Sequence, residues 1–246
     1  MSVFRWVELD RQSLARTVPN ALVVIPLGAV EQHGDHLPTG TDYLLASALV
    51  TAAAEHAAAS TATDIVVTPA LSIGASDHHL PFGGTLSLLP QTLLAMLTGI
   101  LASAASAGAR RVILVNGHGG NSGICHAAAA AASARNGLTV VHIDYWRTLP
   151  EGTGIAGAPV PGHAGAFETA LVLATYPDLV RDRTERAEPA SFAMPRGVEL
   201  HSAQQWAAID GFTDHPERAT VEAGRALMEK LVNSLSAALV ELAEAP

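Results

Sequence analysis

Apolar runs alternate with alanine-rich helical stretches along this chain. The first clear run, Ala21-Leu22-Val23-Val24-Ile25-Pro26-Leu27, has no polar position and reads as a buried strand over about Leu22 to Leu27. A helix from about Tyr43 to Ala58 follows, with Thr41 or Asp42 available as its N-cap. Asp64-Ile65-Val66-Val67-Thr68 reads as a second strand, ended by Pro69. From about Thr92 to Ala107, residues Leu93, Leu97, Ile100, Leu101 and Ala104 fall on one helical face, and Gly108 is placed to cap it. Arg111 begins the strand Val112-Ile113-Leu114-Val115, and a helical stretch from Ser122 to Ala134 leads to the strand Leu138 to Ile143. An apolar helix starts near Glu168 and runs to about Thr175, and a longer one from Thr220 to Ala243 stripes Leu227, Leu231 and Leu235. Strands alternating with helices predict an α/β fold with a parallel sheet. With no internal repeat and no low-complexity linker, residues 1–246 are expected to form one domain. The stretch from Arg181 to Ala219 carries alternating charge and several prolines; it is expected to be irregular surface chain and part of a subunit contact.

Composition narrows the function classes. Apolar residues make up 49% of the 246 and aromatics only 4%, so the core must be built from Ala, Val, Leu and Ile. A net charge of −9, with 14 scattered Lys and Arg, argues against a nucleic-acid partner. Cys125, alone of its type, excludes an intrachain disulfide and fits a reducing compartment; its helical setting predicts a buried thiol. The first six residues lack the basic-then-apolar order of a signal peptide. The longest apolar helix, broken by Thr98, Gly99 and Ser103, is short for a membrane span. A cytoplasmic protein without a membrane partner is the expectation.

Ionisable groups gather where predicted strands end. Glu31-Gln32-His33-Gly34-Asp35-His36-Leu37-Pro38-Thr39-Gly40-Thr41-Asp42 follows the first buried strand. Extended geometry puts Glu31 and His33 on the same side, and the glycines and proline then let Asp42 turn back towards them. Two carboxylates with an imidazole suit a borderline divalent ion such as zinc, manganese or iron. A second strand ends in Asn116-Gly117-His118-Gly119-Gly120-Asn121, and functional groups in open α/β sheets gather at such carboxyl ends. Glu168 begins a later helix, just after His163. Charge favours a pair of ions, since Glu31, Asp42 and Glu168 with a bridging hydroxide bring two divalent cations to about neutrality. Without metal, at least one of the three carboxyls should have a raised pKa. His36, His78, His79 and His163 lie in the same loops, as groups touching substrate or supporting ligands, whereas His56, His126, His142, His201 and His215 read as surface or satisfied core residues.

Two rival readings fit less. Gly117-x-Gly119-x-x-x-Gly123 followed by a strand and Asp144 imitates a dinucleotide-binding unit, but has one residue too many and leaves Glu31, His33, Asp42 and Glu168 unexplained. A non-catalytic metal- or dinucleotide-binding protein is the alternative of another class, and its form as an adaptor with a degenerate, metal-free site sits poorly with intact candidate ligands in all three loops.

The ordered motifs resemble the creatininase (creatinine amidohydrolase) family of metal-dependent hydrolases. The resemblance is carried by Gly28-Ala29-Val30-Glu31-Gln32-His33-Gly34 with His36-Leu37-Pro38 and Asp42; by Ser76-x-x-His79 with Phe82-x-Gly84-Thr85-Leu86-Ser87; by Asn116 to Asn121; and by His163-Ala164-Gly165-x-x-Glu168-Thr169. It continues more weakly in Gly211 to Gly224. It implies a three-layer αβα sandwich, assembly as a homo-oligomer (a hexamer), and two divalent ions, zinc first with manganese or iron as alternatives. By the same resemblance Asp42 bridges the ions, Glu31 and His118 complete one position, His33 serves the other, and His163 shuttles a proton to the leaving group. His36, His79, Thr85, Asn116, Gly119 and Asn121 fall beside the site as residues that touch substrate or support ligands. The implied activity is hydrolysis of a C–N bond in a small amide, cyclic amide or formamide-type molecule by metal-activated water. The alternative is a peptidase acting in maturation of a peptide-derived redox cofactor. Gly120 stands where creatininase itself has a glutamate ligand, so creatinine is not the expected substrate and Glu168 is expected to complete the second position and be required for catalysis. Asp35 and Gly83 also replace residues usual in the family.

Overall fold

The computed structural model describes residues 1–183, 185 and 200–244. Five strands form one sheet: β1 (Val3–Arg5), β2 (Leu22–Leu27), β3 (Ile65–Val67), β4 (Arg111–Asn116) and β5 (Thr139–Asp144), in the order β1-β3-β2-β4-β5. Every pairing is parallel, with Leu22 opposite Arg111 and Asn116 opposite Asp144. The helices are α1 (Arg11–Thr17), α2 (Thr41–Ala58), α3 (Pro90–Ser106), α4 (Ser122–Asn136), α5 (Ala166–Thr175), α6 (Ala203–Ala208) and α7 (Val221–Glu244).

The period of two along the strands builds the layers. Leu22 and Val24 of β2 and Ile113 and Val115 of β4 face the cluster formed with α2, α5 and α7. Their neighbours Val23, Ile25 and Leu27, and Val112 and Leu114, face the cluster formed with α3 and α4. Helices thus cover both faces, and the doubly buried strands are all-apolar runs for that reason. α5 and α7 approach closely: a Cβ added at Gly224 would lie 1.8 Å from the carbonyl oxygen of Ala170. Gly224→Ala is therefore expected to lower stability by about 1–3 kcal/mol, the usual cost of overpacking, without touching the site. Thermal unfolding of the variant checks this.

Several sequence expectations need correction. β1 is too short to show periodicity, so the run at Leu22 is the second strand. α2 starts at Thr41 with Gly40 at its N-cap, and neither Thr41 nor Asp42 caps it. The Thr41 hydroxyl donates back to the Pro38 carbonyl, and the Asp42 carboxylate is turned into the site instead. α6 lies inside the stretch expected to be irregular, with the Ser202 hydroxyl accepting from the Gln205 N–H. Residues 184 and 186–199 of that stretch lie outside the described residues.

Topology also selects the site. From β2 the chain passes to β3 on one side, then returns to β4 on the other. The loops after β2 and β4 consequently diverge at the switch in strand order, where open α/β sheets bind their ligands.

Candidate metal centre

Four elements bring their side chains to this switch point. The loop after β2 supplies Glu31 and His33, the first turn of α2 supplies Asp42, the loop after β4 supplies His118, and the first turn of α5 supplies Glu168. Glu31 and His33 lie beyond the end of β2, so loop geometry brings them together rather than a shared strand face. Asp42 stands between two imidazoles: its Oδ1 is 3.1 Å from His33 Nε2 and its Oδ2 is 3.1 Å from His118 Nδ1. Glu31 Oε1 lies on the His118 side at 3.2 Å, and Glu168 Oε2 on the His33 side at 3.7 Å. Glu31 and His33 have no exposed surface, and the other three are buried.

Each facing imidazole is anchored by its other nitrogen. His33 Nδ1–H donates to the Glu31 carbonyl (3.2 Å), which leaves Nε2 for the carboxylates. His118 Nε2–H donates to the Ala75 carbonyl (3.1 Å), which leaves Nδ1. That backbone anchoring fixes which nitrogen is offered to an ion.

Gln32, inside the first motif, organises a second pair of rings. Its amide donates to the Gly211 carbonyl (2.6 Å) and to His79 Nδ1 (2.9 Å), while its Oε1 accepts the Gly34 N–H. The two amide protons are then spent, so His163 Nε2–H donates to the Gln32 carbonyl (2.9 Å). In this scheme His163 presents Nδ1, and His79 an N–H at Nε2, to Glu31 Oε1 at 3.4 and 3.5 Å.

The remaining expected site residues divide. His79 and Gly119 line a cavity of about 750 Å³ above the cluster, together with His78, His163 and Trp206. Asn116 and Asn121 do not face it. Asn116 receives the His118 N–H and donates to Asp144, whereas Asn121 ties the Ala75 N–H to the Gly28 carbonyl. Thr85 accepts the Gln32 N–H. The His36 ring bonds the Thr169 hydroxyl at 2.9 Å and so fastens the first loop to α5, away from the carboxylates. His201, expected to be a surface or satisfied core residue, is exposed and lies at the cavity mouth.

Trp206 carried no signal in the sequence, and Asp214 fell only within the weakly matching stretch Gly211 to Gly224. The Trp206 ring stands edge-on to His79 (4.6 Å) and His163 (5.6 Å) and roofs the centre. Asp214 Oδ1 accepts the Ala166 N–H at the start of α5, beside the turn that carries His163 and Glu168.

Charge inside the cluster is strongly perturbed. Burial alone would lower His33, but Asp42, Glu168 and Glu31 push it up to about 10. Burial likewise opposes the charge on His118, yet Glu31 and Asp42 hold it well above its ordinary value. Burial pushes Glu168 up to about 8 against the pull of His33. Burial opposes the charge on Glu31, but the charged His118 ring 3.2 Å away holds it well below the usual carboxylate range. Burial lowers His79 to about 3, and burial with the neighbouring His33 holds His163 well below its usual value, so both rings are neutral.

Both oxygens of Glu31 and Oδ2 of Asp42 are buried without a hydrogen-bond partner among the described residues. Buried carboxylates left so incomplete normally pair with a cation. His33, Asp42 and Glu168 can offer one ligand atom each within 4.8 Å of one another. A mixed imidazole–carboxylate set of this kind fits a divalent transition ion.

A parallel α/β sheet with such a centre beneath a cavity defines a metal-dependent hydrolase. The chain belongs to the creatininase family: the family model described as Creatinine amidohydrolase matches residues 5–239. It is similar to the mycofactocin precursor peptide peptidase of Mycobacterium tuberculosis (strain CDC 1551 / Oshkosh), 34% identical over 222 residues, covering 86% of this chain and 81% of that one. The creatinine amidohydrolase of Pseudomonas putida is 32% identical over 260 residues, covering 96% and 94%. A solved manganese creatininase superposes with a TM-score of 0.82 at 29% identity, covering 99% of this chain and 100% of that one. The protein is a metal-dependent amidohydrolase that binds divalent metal. Among the described residues no helix is long and apolar enough to cross a membrane.

Proposed function

We propose that the chain, acting as one catalytic domain, holds two divalent ions and hydrolyses a C–N bond in a small amide, cyclic amide or formamide-type molecule. The observation that carries this reading is that Glu31 and Asp42 Oδ2, buried among anchored imidazoles that face them at 3.1–3.2 Å, have no hydrogen-bond partner among the described residues. Asp42 is the shared ligand, Glu31 and His118 hold one ion, and His33 and Glu168 the other. Zinc suits both positions, and manganese or iron can replace it where carboxylates dominate. Ions bound there supply an activated water and an electrophilic contact for the substrate carbonyl. His163, neutral and fixed through Nε2, takes up a proton at Nδ1 and returns it to the departing nitrogen. Trp206 covers the rings and limits water access. The protein is further proposed to work in the cytoplasm as a homo-oligomer.

The cavity of about 750 Å³ is in the range of drug-sized ligands. That room, with the similarity to the peptidase of M. tuberculosis, favours cleavage of a peptide end as the second reading. Metal analysis of purified protein, followed by a screen of lactams, cyclic ureides, formamides and short peptides, tests both. Turnover of amides but not peptides supports the first reading, and the reverse outcome the second. No bound metal, and no turnover after reconstitution with zinc, manganese or iron, removes both.

Glu168→Gln isolates one ligand. The glutamine oxygen can still accept the Ala164 N–H that Glu168 Oε2 receives at 2.6 Å, and the neutral amide imitates the acid form favoured by burial. The metal-depleted variant is therefore expected to melt like the wild type, while bound metal falls to about one ion and hydrolysis is lost. Wild-type metal content and turnover in this variant would remove Glu168 from the ligand set.

A further inference from the structure

Among the imidazoles that face the centre, His78 stands apart. His33, His118, His79 and His163 each have a ring nitrogen hydrogen-bonded to backbone or to Gln32. Neither nitrogen of His78 has a hydrogen-bond partner among the described residues, and the ring is half-buried in the cavity wall. It belongs to the 3-10 turn Asp77–Phe82, whose next residue, His79, turns inward to Gln32. The His78 ring is stacked on His118, within 8° of its plane and with centroids 5.8 Å apart, so a turn of the His78 side chain would aim its nitrogen at an ion on His118. Two imidazoles on one tetrahedral zinc, with Zn–N about 2.0–2.1 Å, place their centroids ~5 Å apart. Glu31, His78 and His118 can each bring a ligand atom within 4.8 Å of the others. Glu31 is the buried group with two partnerless oxygens.

We propose that His78 is an exchangeable fourth ligand to the ion held by Glu31, Asp42 and His118. The inference rests on the two-ion reading above and makes the two positions unequal. With His78 bound, the His118 side has four protein ligands, two of them imidazoles, which is a closed zinc-like set. The His33 side has three, two of them carboxylates, which leaves it open and better suited to manganese. The glycine turn after His118 brings no side-chain donor, and a Cβ on Gly120 would lie 2.4 Å from both the Ala75 carbonyl and His118 Nε2. Without a hydrogen bond on its outer nitrogen, His78 is free to leave the ion when a substrate group arrives.

Competition of metal-depleted protein with a chromophoric chelator for zinc resolves the binding steps. Loss of an outer-sphere partner alone weakens binding by ~10–100-fold, so His78→Ala should weaken the tighter zinc step by at least that much and leave the weaker step unchanged. The visible spectrum of the cobalt-loaded protein should lose intensity at one position, as four-coordination gives way to water-filled five- or six-coordination. Leu200→Ala, which opens the exposed rim of the same cavity without removing a donor, should leave both zinc steps within about twofold. Unchanged zinc steps and cobalt spectrum in His78→Ala overturn the proposal, as does an equal loss in Leu200→Ala. A wild-type protein that binds only one ion or none overturns the two-ion reading first.

Discussion

Asp42→Ala is expected to release both ions together and to reduce turnover by at least about a thousandfold. The two oxygens of Asp42 stand 3.1 Å from an imidazole on either side, so in the proposed two-ion centre one carboxylate would contribute to both positions. Two divalent ions about 3.5–4 Å apart repel strongly and coexist only when bridging negative charge lies between them. Removing the bridge therefore destabilises each ion twice, through a lost ligand and through the exposed charge of its neighbour. Once the ions go, the pKa of the attacking water returns from ~7 towards ~15.7, which sets the scale of the lost rate. His33→Ala removes a ligand from one side only and should spare the His118 position. Elemental analysis after gel filtration, beside steady-state rates, distinguishes the two variants. Equal, partial metal loss in both would show that Asp42 does not bridge.

The convergence of the candidate ligands was legible in the sequence because their residue types are chemically unusual at strand ends. Glu31, His33, Asp42, His118 and Glu168 each follow a glycine-rich turn or open a helix, and each converges on one place. The alternation of strands and helices gave the parallel sheet for a similar reason, since doubly buried strands must be continuously apolar. Supporting groups were harder to sort. Asn116, Asn121 and Thr85 have side chains suited to substrate contact, but they are consumed by backbone groups of the loops. Only the fold shows where a side-chain amide or hydroxyl is spent. Trp206 was invisible because α6 is a six-residue helix without periodicity, packed on the site through ring contacts alone. β1 escaped for a related reason: three residues cannot show a period of two. Gln32 sat within a recognised motif, yet its role depends on His79, His163 and Gly211, which are distant in sequence.

Metal uptake should expel protons, and affinity should rise steeply with pH. Ligation needs neutral imidazoles and an ionised carboxylate. At pH 7 His33, at about 10, and His118, well above its ordinary value, are cationic, and Glu168, at about 8, is neutral. One proton from each gives about three released per chain when both positions fill, so the product of the two binding constants should rise roughly a thousandfold per pH unit near pH 7. The slope should flatten above about pH 8, where Glu168 has already lost its proton. Stability of the metal-depleted protein should run the other way. His33 has a folded value of about 10 against an ordinary 6.5, so its ion pairs stabilise fully below 6.5 and are lost as pH rises through about 10. Glu168 holds a proton between 4.5 and about 8 that the unfolded chain has shed, so stability again falls as pH rises through that window. Below about pH 6.5 the depressed His79 and His163 act in the opposite direction, so melting of the metal-depleted protein should fall from about pH 7 to 9 while the gain from added zinc widens. Calorimetry at pH 7 in buffers of different ionisation enthalpy counts the protons directly. Metal uptake without proton release would mean that these groups are already in their ligating forms, and the charge assignment of the centre would have to be redrawn.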